Sequence, residues 1–163
     1  MDDRTALLVA RHEGYRCMPY LDTKKIWTAG YGYNLVANPL KLPAAKIAEI
    51  KKHGVGEVEA RKYLFQMLEL VEHELSGKLD WWSRLNAARQ AVFLDMAYNM
   101  GVNGLLDFKN TLACAKTRDF QGAAREMLNS KWSKDVNPKN RPDGRNYTLA
   151  EMMRSGVFPK GLK

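Results

Sequence analysis

The chain has 163 residues, of which 45% are hydrophobic and 10% aromatic, and this is enough for a packed core. Its length suits one compact domain or two small lobes that share a core. No apolar run approaches the length that a membrane span needs, so we expect no membrane insertion.

The 26 Lys and Arg residues outnumber the 18 Asp and Glu residues, and the formal net charge is +8. Such a charge favours a polyanionic partner, whether nucleic acid, anionic lipid or an acidic cell wall. The basic residues are spread along the chain, and no helix-turn-helix or aromatic nucleic-acid signature is present. We therefore expect no nucleic-acid partner.

The first residues, MDDRTALLVARHEG, carry acids where a secretory signal would carry basic residues. They predict a short capped helix and not an export signal. Cys17 and Cys114 match no metal or redox spacing, so we expect two reduced, half-buried side chains in a protein made in a cytoplasm, with a disulfide as the alternative. The three histidines are equally scattered, and we expect neither a metal site nor a cofactor.

In chain order, the first predicted element is a helix that Asp2 or Asp3 caps and Gly14 ends. Residues 15–35 then change to aromatic and β-branched side chains. This pattern predicts a hairpin with YRCMPY and IWTAGYGY as its strands and LDTKK as its connection. The next segment, LPAAKIAEIKKHG, predicts a short helix that ends at Gly54.

Residues 57–77 carry a dense apolar stripe and predict a helix long enough to connect two lobes. Residues 86–101 are apolar nearly all round, which is typical of a helix in the middle of a core. Asp95 and Asn99, its two polar exceptions, are four residues apart and share a face. We expect Asp95 to be a buried hydrogen-bond acceptor.

The remaining pattern predicts short helices near 102–107, 110–116 and 119–129, a loop over 130–146, and a last helix around 147–155. Thr148 and Glu151 have the capping-box spacing at the start of that last helix.

Two carboxyl groups near the hairpin have the residue types of a hydrolytic site. Glu13 ends the first helix, whose C-terminal partial negative charge, together with partial burial, would raise the pKa of this carboxyl and suit it to general acid catalysis. Asp22 lies in the turn, where solvent and backbone amides would keep it ionised as a base. Two carboxyl groups in such different environments can act as the acid and the base that cleave a glycosidic bond.

Thr28 lies on the returning strand, where alternation puts it on the same face as Gly30 and Gly32. Those glycines would leave room for a ligand and a positioned water, while Trp27 and Tyr31 would form the core behind. A glutamate at a helix end, an aspartate in a turn and a threonine in a strand are each commonplace. The hypothesis therefore depends on their combination.

Glu13, eight intervening residues, Asp22, five more residues and then Thr28 within TAGYG resemble the active-site signature of the phage-type lysozymes (endolysins) of T-even coliphages, glycoside hydrolase family 24. The likeness continues along the chain in AYNMGVNGLLDFKNTL (97–112), SKW (130–132) and GRNYTLAEMMRSG (144–156). It covers nearly the whole chain in order.

The resemblance implies an α+β, mostly α, lysozyme-like fold with two lobes in a single domain over 1–163. Residues 13–56 would form the lobe with the β-hairpin, 57–77 the connecting helix, and 78–163 with helix 3–12 the helical lobe. It implies that Glu13 protonates the leaving oxygen while Asp22 and Thr28 activate a water, with inversion. A covalent route through Asp22 is the alternative chemistry.

The resemblance also implies substrate contacts, and it points to Asn34, Tyr98, Asn99, Thr111 and Lys131. Core packing is the alternative for Tyr98, and a solvated surface position is the alternative for Thr111 and Lys131. For Asn99, an amide on an otherwise apolar helix needs a partner, which a substrate would supply.

The family also has an arginine near its catalytic glutamate. Arg145 fits that position by its spacing to Arg154, and Arg141 is the alternative. One departure is Tyr33, which stands where the type member of the family has a histidine. It puts the stability of the N-terminal lobe in question more than catalysis.

The leading hypothesis is a monomeric muramidase that cleaves the β-1,4 bond between N-acetylmuramic acid and N-acetylglucosamine in peptidoglycan. By the family's pattern it would accumulate in the host cytoplasm and reach the periplasmic wall once the membrane is opened, for host lysis. The alternative is a catalytically silent wall-binding module of the same fold, against which the intact Glu13, Asp22 and Thr28 argue.

Overall fold

The computed structural model describes residues 1–162, which form nine α-helices, one short 3₁₀ helix and a three-stranded antiparallel sheet. This confirms the α+β, mostly α fold class. The elements in chain order are α1 (Asp3–Glu13), β1 (Arg16–Leu21), β2 (Trp27–Gly30), β3 (Tyr33–Asn34), α2 (Ala44–His53), α3 (Glu57–Lys78), the 3₁₀ helix (Trp82–Arg84), α4 (Ala87–Met100), α5 (Val102–Leu106), α6 (Lys109–Lys116), α7 (Phe120–Leu128), α8 (Lys131–Val136) and α9 (Arg145–Ser155).

The described chain divides into two compact units. The N-terminal unit contains residues 6–70, and the helical unit contains residues 1–5 together with those from 71 onward. Most of α1 thus belongs to the N-terminal unit, although the expected grouping puts the first helix in the helical lobe. That the chain is one lysozyme domain stays a prediction.

The first helix forms as its sequence predicts. Asp2 caps it, because its Oδ1 accepts a hydrogen bond from the backbone N–H of Arg4 at 2.9 Å. Gly14 ends it with a φ of +71°, a left-handed conformation that glycine adopts without strain. The capped helix therefore delivers Glu13, its last residue, to a fixed place at the start of the hairpin.

The predicted hairpin is confirmed, with the sheet order β1-β2-β3. Tyr20 pairs with Thr28 and Leu21 pairs with Trp27 between β1 and β2. Thr28 also pairs with Asn34 on β3, so Thr28 is in the central strand. The pairing register shifts between Arg16 and Tyr20. Such an irregularity bends a strand, so β1 bends before the residues that pair with Trp27 and Thr28.

Two expectations for the second strand are wrong. Trp27 does not lie in a core, since its side chain is 45% exposed. Gly30 does not leave room for a ligand, because a Cβ there would lie 3.0 Å from the Cβ of Ala60 on α3. The absent side chain instead lets the strand approach the helix closely. Tyr31 is buried as expected and donates a hydrogen bond to Glu57 at 2.8 Å.

Tyr33 has a structural role in the N-terminal unit. Its ring is buried 5.6 Å from that of Tyr63. Its hydroxyl donates to Oδ1 of Asn38 at 2.6 Å and accepts from the backbone N–H of Leu40 at 3.1 Å. Tyr33 therefore holds the loop that follows β3 against the sheet.

We expect Tyr33→Phe to lower the free energy of unfolding by about 1–3 kcal/mol, because it removes the hydrogen bond to Asn38 and takes the acceptor away from the backbone N–H of Leu40. Urea denaturation followed by far-ultraviolet circular dichroism measures the change. Tyr147→Phe is the matched control, since it removes an exposed hydroxyl bonded to Asn140, and there the change should stay within about 0.5 kcal/mol. Equal effects of the two substitutions would contradict this role for Tyr33.

The helical unit is built around α4, as its nearly continuous apolar sequence predicts. Eight of its residues are buried, and Phe93 packs edge-on against Trp81 with ring centroids 6.2 Å apart. Asn86 caps the helix by accepting from the backbone N–H of Arg89 at 3.0 Å. This confirms a core helix.

Three local predictions need correction. The expected loop over 130–146 contains the helix α8, which Ser130 caps by accepting from the backbone N–H of Ser133. The last helix begins at Arg145 after Gly144, so Thr148 lies inside it and does not cap it. Cys17 is exposed instead of half-buried, while Cys114 is half-buried, and both are free thiols.

Candidate active site

The structure places Glu13 at the C-terminal end of α1, as predicted, in a half-buried position. Gly14 follows it, and a side chain at Gly14 would meet no atom within 4 Å. The space next to the Cα of Gly14 is thus open.

Asp22 follows β1 directly and is held by the turn. Its Oδ1 accepts hydrogen bonds from the backbone N–H groups of Lys24 and Ile26, both at 2.8 Å. Among residues 1–162, Oδ2 receives no hydrogen bond from the protein, so it can accept a proton or a hydrogen bond from a bound water. The predicted setting of backbone amides around Asp22 is confirmed.

Thr28 is buried, and its hydroxyl donates to the backbone carbonyl of Ile26 at 2.9 Å. With its proton engaged there, Oγ1 can still accept a hydrogen bond. The strand register puts Tyr20 on one side of Thr28 and Asn34 on the other, on the same face of the sheet. The structure therefore brings together Thr28 and Asn34, two of the predicted site residues.

Asn34 also has a local role. Its side-chain oxygen accepts from the backbone N–H groups of Val36 and Ala37, at 2.9 and 2.8 Å, and so turns the chain after β3. A contact of its amide NH₂ group with substrate stays a prediction.

Tyr20, which pairs with Thr28, and Arg16 are candidate site residues that sequence reasoning missed. The Arg16 guanidinium lies 3.9 Å from the centroid of the Tyr20 ring. Burial raises the pKa of the Tyr20 phenol, Arg16 opposes the rise, and the carboxylates of Glu13 and Asp22 add to it. The Asp22 carboxylate and the Thr28 hydroxyl are brought together by Ile26, whose backbone N–H donates to Asp22 and whose carbonyl accepts from Thr28.

A sequence signal for this pair does exist. Tyr20 is the last residue of the predicted first strand and lies only two positions before Asp22 in the connection, so the two residues are neighbours in the sequence. Arg16 is separated from Tyr20 by an irregularity in the strand, so the stacking of its guanidinium on the ring depends on a bend that strand periodicity does not predict.

We expect Asp22→Asn to leave the midpoint of urea denaturation unchanged, because an amide oxygen can still accept the two backbone hydrogen bonds. Turnover of peptidoglycan should fall by about 10²–10⁴-fold, since the amide cannot accept a proton as the carboxylate does. Asp22→Ala should lose turnover and also about 1–2 kcal/mol of stability, because it removes the turn's acceptor. Full turnover by Asp22→Asn would contradict the assignment of a base.

In the helical unit, Thr111 and Lys131 line one groove of about 300 Å³. Thr111 is buried, whereas Lys131 is exposed and pairs with Asp135 at 2.7 Å. Trp132 and Phe108 also line the groove, with ring centroids 6.2 Å apart at nearly a right angle. A groove lined by aromatic and polar side chains suits a carbohydrate ligand, but the contacts of Thr111 and Lys131 with substrate stay predictions.

Tyr98 and Asn99 lie at the end of α4 in the same unit. Tyr98 is half-buried, and Asn99 is exposed. The side-chain oxygen of Asn99 accepts from Nε1 of Trp132 at 3.2 Å, so the protein itself supplies one partner that this amide needs. Substrate contacts of Tyr98 and Asn99 stay predictions.

Arg145 forms a buried ion pair with Asp95. Its Nε lies 2.8 Å from Oδ1 of Asp95, whose side chain is 0% exposed, and the Arg145 side chain is 10% exposed. This confirms Asp95 as a buried acceptor. Arg141, the alternative arginine, pairs with Asp143 on the surface. An approach of either arginine to Glu13 stays a prediction.

Two further observations concern residues 1–162 alone. No three His, Cys, Asp or Glu side chains gather as a metal site requires. No helix in that part of the chain combines the length and the apolar character that crossing a membrane demands.

Comparison with known proteins identifies the family of this chain. The sequence profile of the phage lysozyme family matches residues 10–145, a segment that contains Glu13, Asp22 and Thr28. The pre-baseplate central spike protein Gp5 of Enterobacteria phage T4 is 26% identical over 143 residues, which covers 78% of this chain and 24% of that protein. The chain thus spans about a quarter of the length of that relative. Since the family profile matches most of the chain, the protein belongs to the phage lysozyme family.

Proposed function

We propose that this protein is a muramidase, which hydrolyses the β-1,4 bond between N-acetylmuramic acid and N-acetylglucosamine in peptidoglycan with inversion at the anomeric carbon. Membership of the phage lysozyme family implies a glycoside hydrolase that acts on peptidoglycan. The observation that carries the proposal is that the Asp22 carboxylate and the Thr28 hydroxyl bind the backbone N–H and the carbonyl of the same residue, Ile26, within the family segment that also contains Glu13.

In this mechanism Glu13 donates a proton to the glycosidic oxygen as the bond to the anomeric carbon breaks. A water attacks the opposite face of that carbon and transfers a proton to Asp22 through the free Oδ2. The two backbone hydrogen bonds on Oδ1 keep the carboxylate in one orientation. Thr28 accepts a hydrogen bond from the same water, because its own proton is already donated to Ile26.

The net charge of the protein also supports peptidoglycan as the substrate. The wall polymer carries carboxylates, and the net charge of +8 attracts the protein to it. Salt screens this attraction, so association with the wall should weaken as ionic strength rises.

The test is analysis of the products from purified peptidoglycan. Mass spectrometry should find reducing N-acetylmuramic acid ends, and nuclear magnetic resonance should find the α-anomer as the first product of the β-linked substrate. Anhydro ends would identify a transglycosylase instead. A β-anomer as first product would replace inversion with a covalent route through Asp22.

We consider two stages of phage infection at which the protein would cleave the wall. The first is host lysis by a monomer that accumulates in the host cytoplasm and acts on the periplasmic wall after the membrane is permeabilised, as the family resemblance implies. The second is wall penetration by a phage particle, which the likeness to a baseplate spike protein supports. Mass spectrometry of purified virions separates them, because only the second puts this chain in the particle.

A further inference from the structure

One face of the hairpin exposes a pair of large apolar side chains. Leu21 and Trp27 are partners in the β1–β2 register and are 51% and 45% exposed. The other tryptophans, Trp81, Trp82 and Trp132, are only 5–7% exposed. A strand pair that leaves a Trp and a Leu side by side in water keeps apolar area available for a partner.

Two cations stand at the tip of this hairpin. Lys24 and Lys25 are both exposed, and neither ammonium pairs with a carboxylate among residues 1–162. The nearest acid in the sequence, Asp22, uses Oδ1 for backbone N–H groups. The tip therefore combines unneutralised positive charge with an exposed indole. We name Leu21, Trp27, Lys24 and Lys25 the hairpin-tip surface.

This surface is separate from the candidate catalytic row. Thr28 follows Trp27 directly, and successive side chains in a strand point to opposite faces. Tyr20, Thr28 and Asn34 form one row, whereas Leu21 and Trp27 belong to the next row and the other face. A glycan strand seated on Thr28 would not cover Trp27.

We propose that the hairpin-tip surface binds a second peptidoglycan strand, distinct from the strand that is cleaved. The apolar C–H face of a sugar ring stacks on the indole of Trp27, and a carboxylate of the wall polymer pairs with Lys24 or Lys25. The inference rests on the proposed function, which supplies a polymer in which neighbouring strands lie close together.

The observations favour a glycan over a lipid surface. Binding of a peripheral segment to a bilayer grows with the apolar area that it buries. The hairpin-tip surface offers two such side chains, each already about half covered by the protein. Stacking on one sugar face requires only a single flat aromatic ring. A second contact with the same polymer keeps the enzyme on the wall between cleavage events, because rebinding becomes intramolecular.

Tryptophan fluorescence tests the contact directly, since Trp27 is the accessible member of the four tryptophans. In a Glu13→Gln background, acrylamide should quench the free protein mainly through Trp27. Addition of soluble disaccharide-peptide fragments of peptidoglycan should lower this quenching about twofold. Trp27→Phe should remove the effect. Unchanged quenching at fragment concentrations that saturate the protein would overturn the proposal.

Co-sedimentation with insoluble peptidoglycan sacculi tests the surface as a whole, again in the Glu13→Gln background. Trp27→Ala and the double variant Lys24→Gln/Lys25→Gln should each weaken binding about fivefold or more, while Trp27→Tyr keeps most of it. The matched controls are Val58→Ala, at an exposed apolar position, and Lys51→Gln/Lys52→Gln, an exposed lysine pair on α2. Equal losses in the controls would overturn the proposal.

Turnover measurements separate this inference from the proposed function. With Glu13 restored, Trp27→Ala should lower the ratio of turnover on sacculi to turnover on soluble fragments about fivefold. An unchanged ratio would contradict the proposed role of the hairpin-tip surface. Binding of the wild type to anionic phospholipid vesicles and not to sacculi would replace the glycan with a lipid partner. A wild type that releases no product refutes the muramidase alone, since the sedimentation pattern is measured without turnover.

Discussion

Glu13→Gln is expected to abolish most of the hydrolysis of peptidoglycan while the protein stays folded. The amide has nearly the shape of the carboxyl group but cannot give a proton to the glycosidic oxygen. General acid catalysis contributes about 10²–10⁴-fold to such reactions, and turnover should fall by that factor. Clearing of a peptidoglycan suspension, followed by counting of new reducing ends, measures the loss.

Glu69→Gln is the matched control for this experiment. Glu69 is an exposed glutamate on α3 in the same N-terminal unit, and its substitution should change turnover by less than about twofold. Urea denaturation of both variants should give the wild-type midpoint within error. Full turnover by Glu13→Gln would remove Glu13 from the mechanism. An inactive wild type would favour the silent wall-binding module.

The buried pair of Asp95 and Arg145 is expected to give the largest effect on stability. Asp95→Ala removes the carboxylate that lies 2.8 Å from Nε of Arg145, whose side chain is 10% exposed. Removing one partner of a buried ion pair costs about 3–5 kcal/mol, because the attraction between the two charges no longer offsets the desolvation of the remaining one. The free energy of unfolding from urea denaturation should fall by this amount.

A double variant gives the sharper test. Asp95→Leu with Arg145→Met removes both charges and keeps apolar volume, so most of the lost stability should return. Arg141→Met, which breaks the exposed pair with Asp143, should change stability by less than about 1 kcal/mol. A cost below about 1 kcal/mol for Asp95→Ala would contradict the account of a buried pair.

Activity of that double variant decides a separate point. If Arg145 serves only the ion pair, turnover recovers together with stability. If Arg145 also acts on Glu13, as the family resemblance implies, the variant stays folded and turnover remains low. The two roles of one arginine are thus measured independently.

Local chemistry is what the sequence by itself determined. The acids before the first helix, Gly14 after it and the change to aromatic and β-branched residues specify helix, stop and hairpin, because each depends on neighbours within a few positions. The apolar circumference of α4 identifies a core helix for the same reason. The spacing of Glu13, Asp22 and Thr28 is also local, since all three lie on α1 and the hairpin that directly follows it.

Only the tertiary structure decided which contacts those elements make. The pair of Asp95 and Arg145 joins residues 50 positions apart, and no period in the sequence predicts such a distance. The alternation of side chains along a strand correctly put Trp27 and Thr28 on opposite faces of the sheet. It could not predict that the Trp27 side chain faces solvent instead of a core. Gly30 is needed because α3 approaches the strand closely at this position. The stacking of Arg16 on Tyr20 depends on a bend in β1. Burial and pairing are properties of what packs against a residue, and that partner is chosen by the fold.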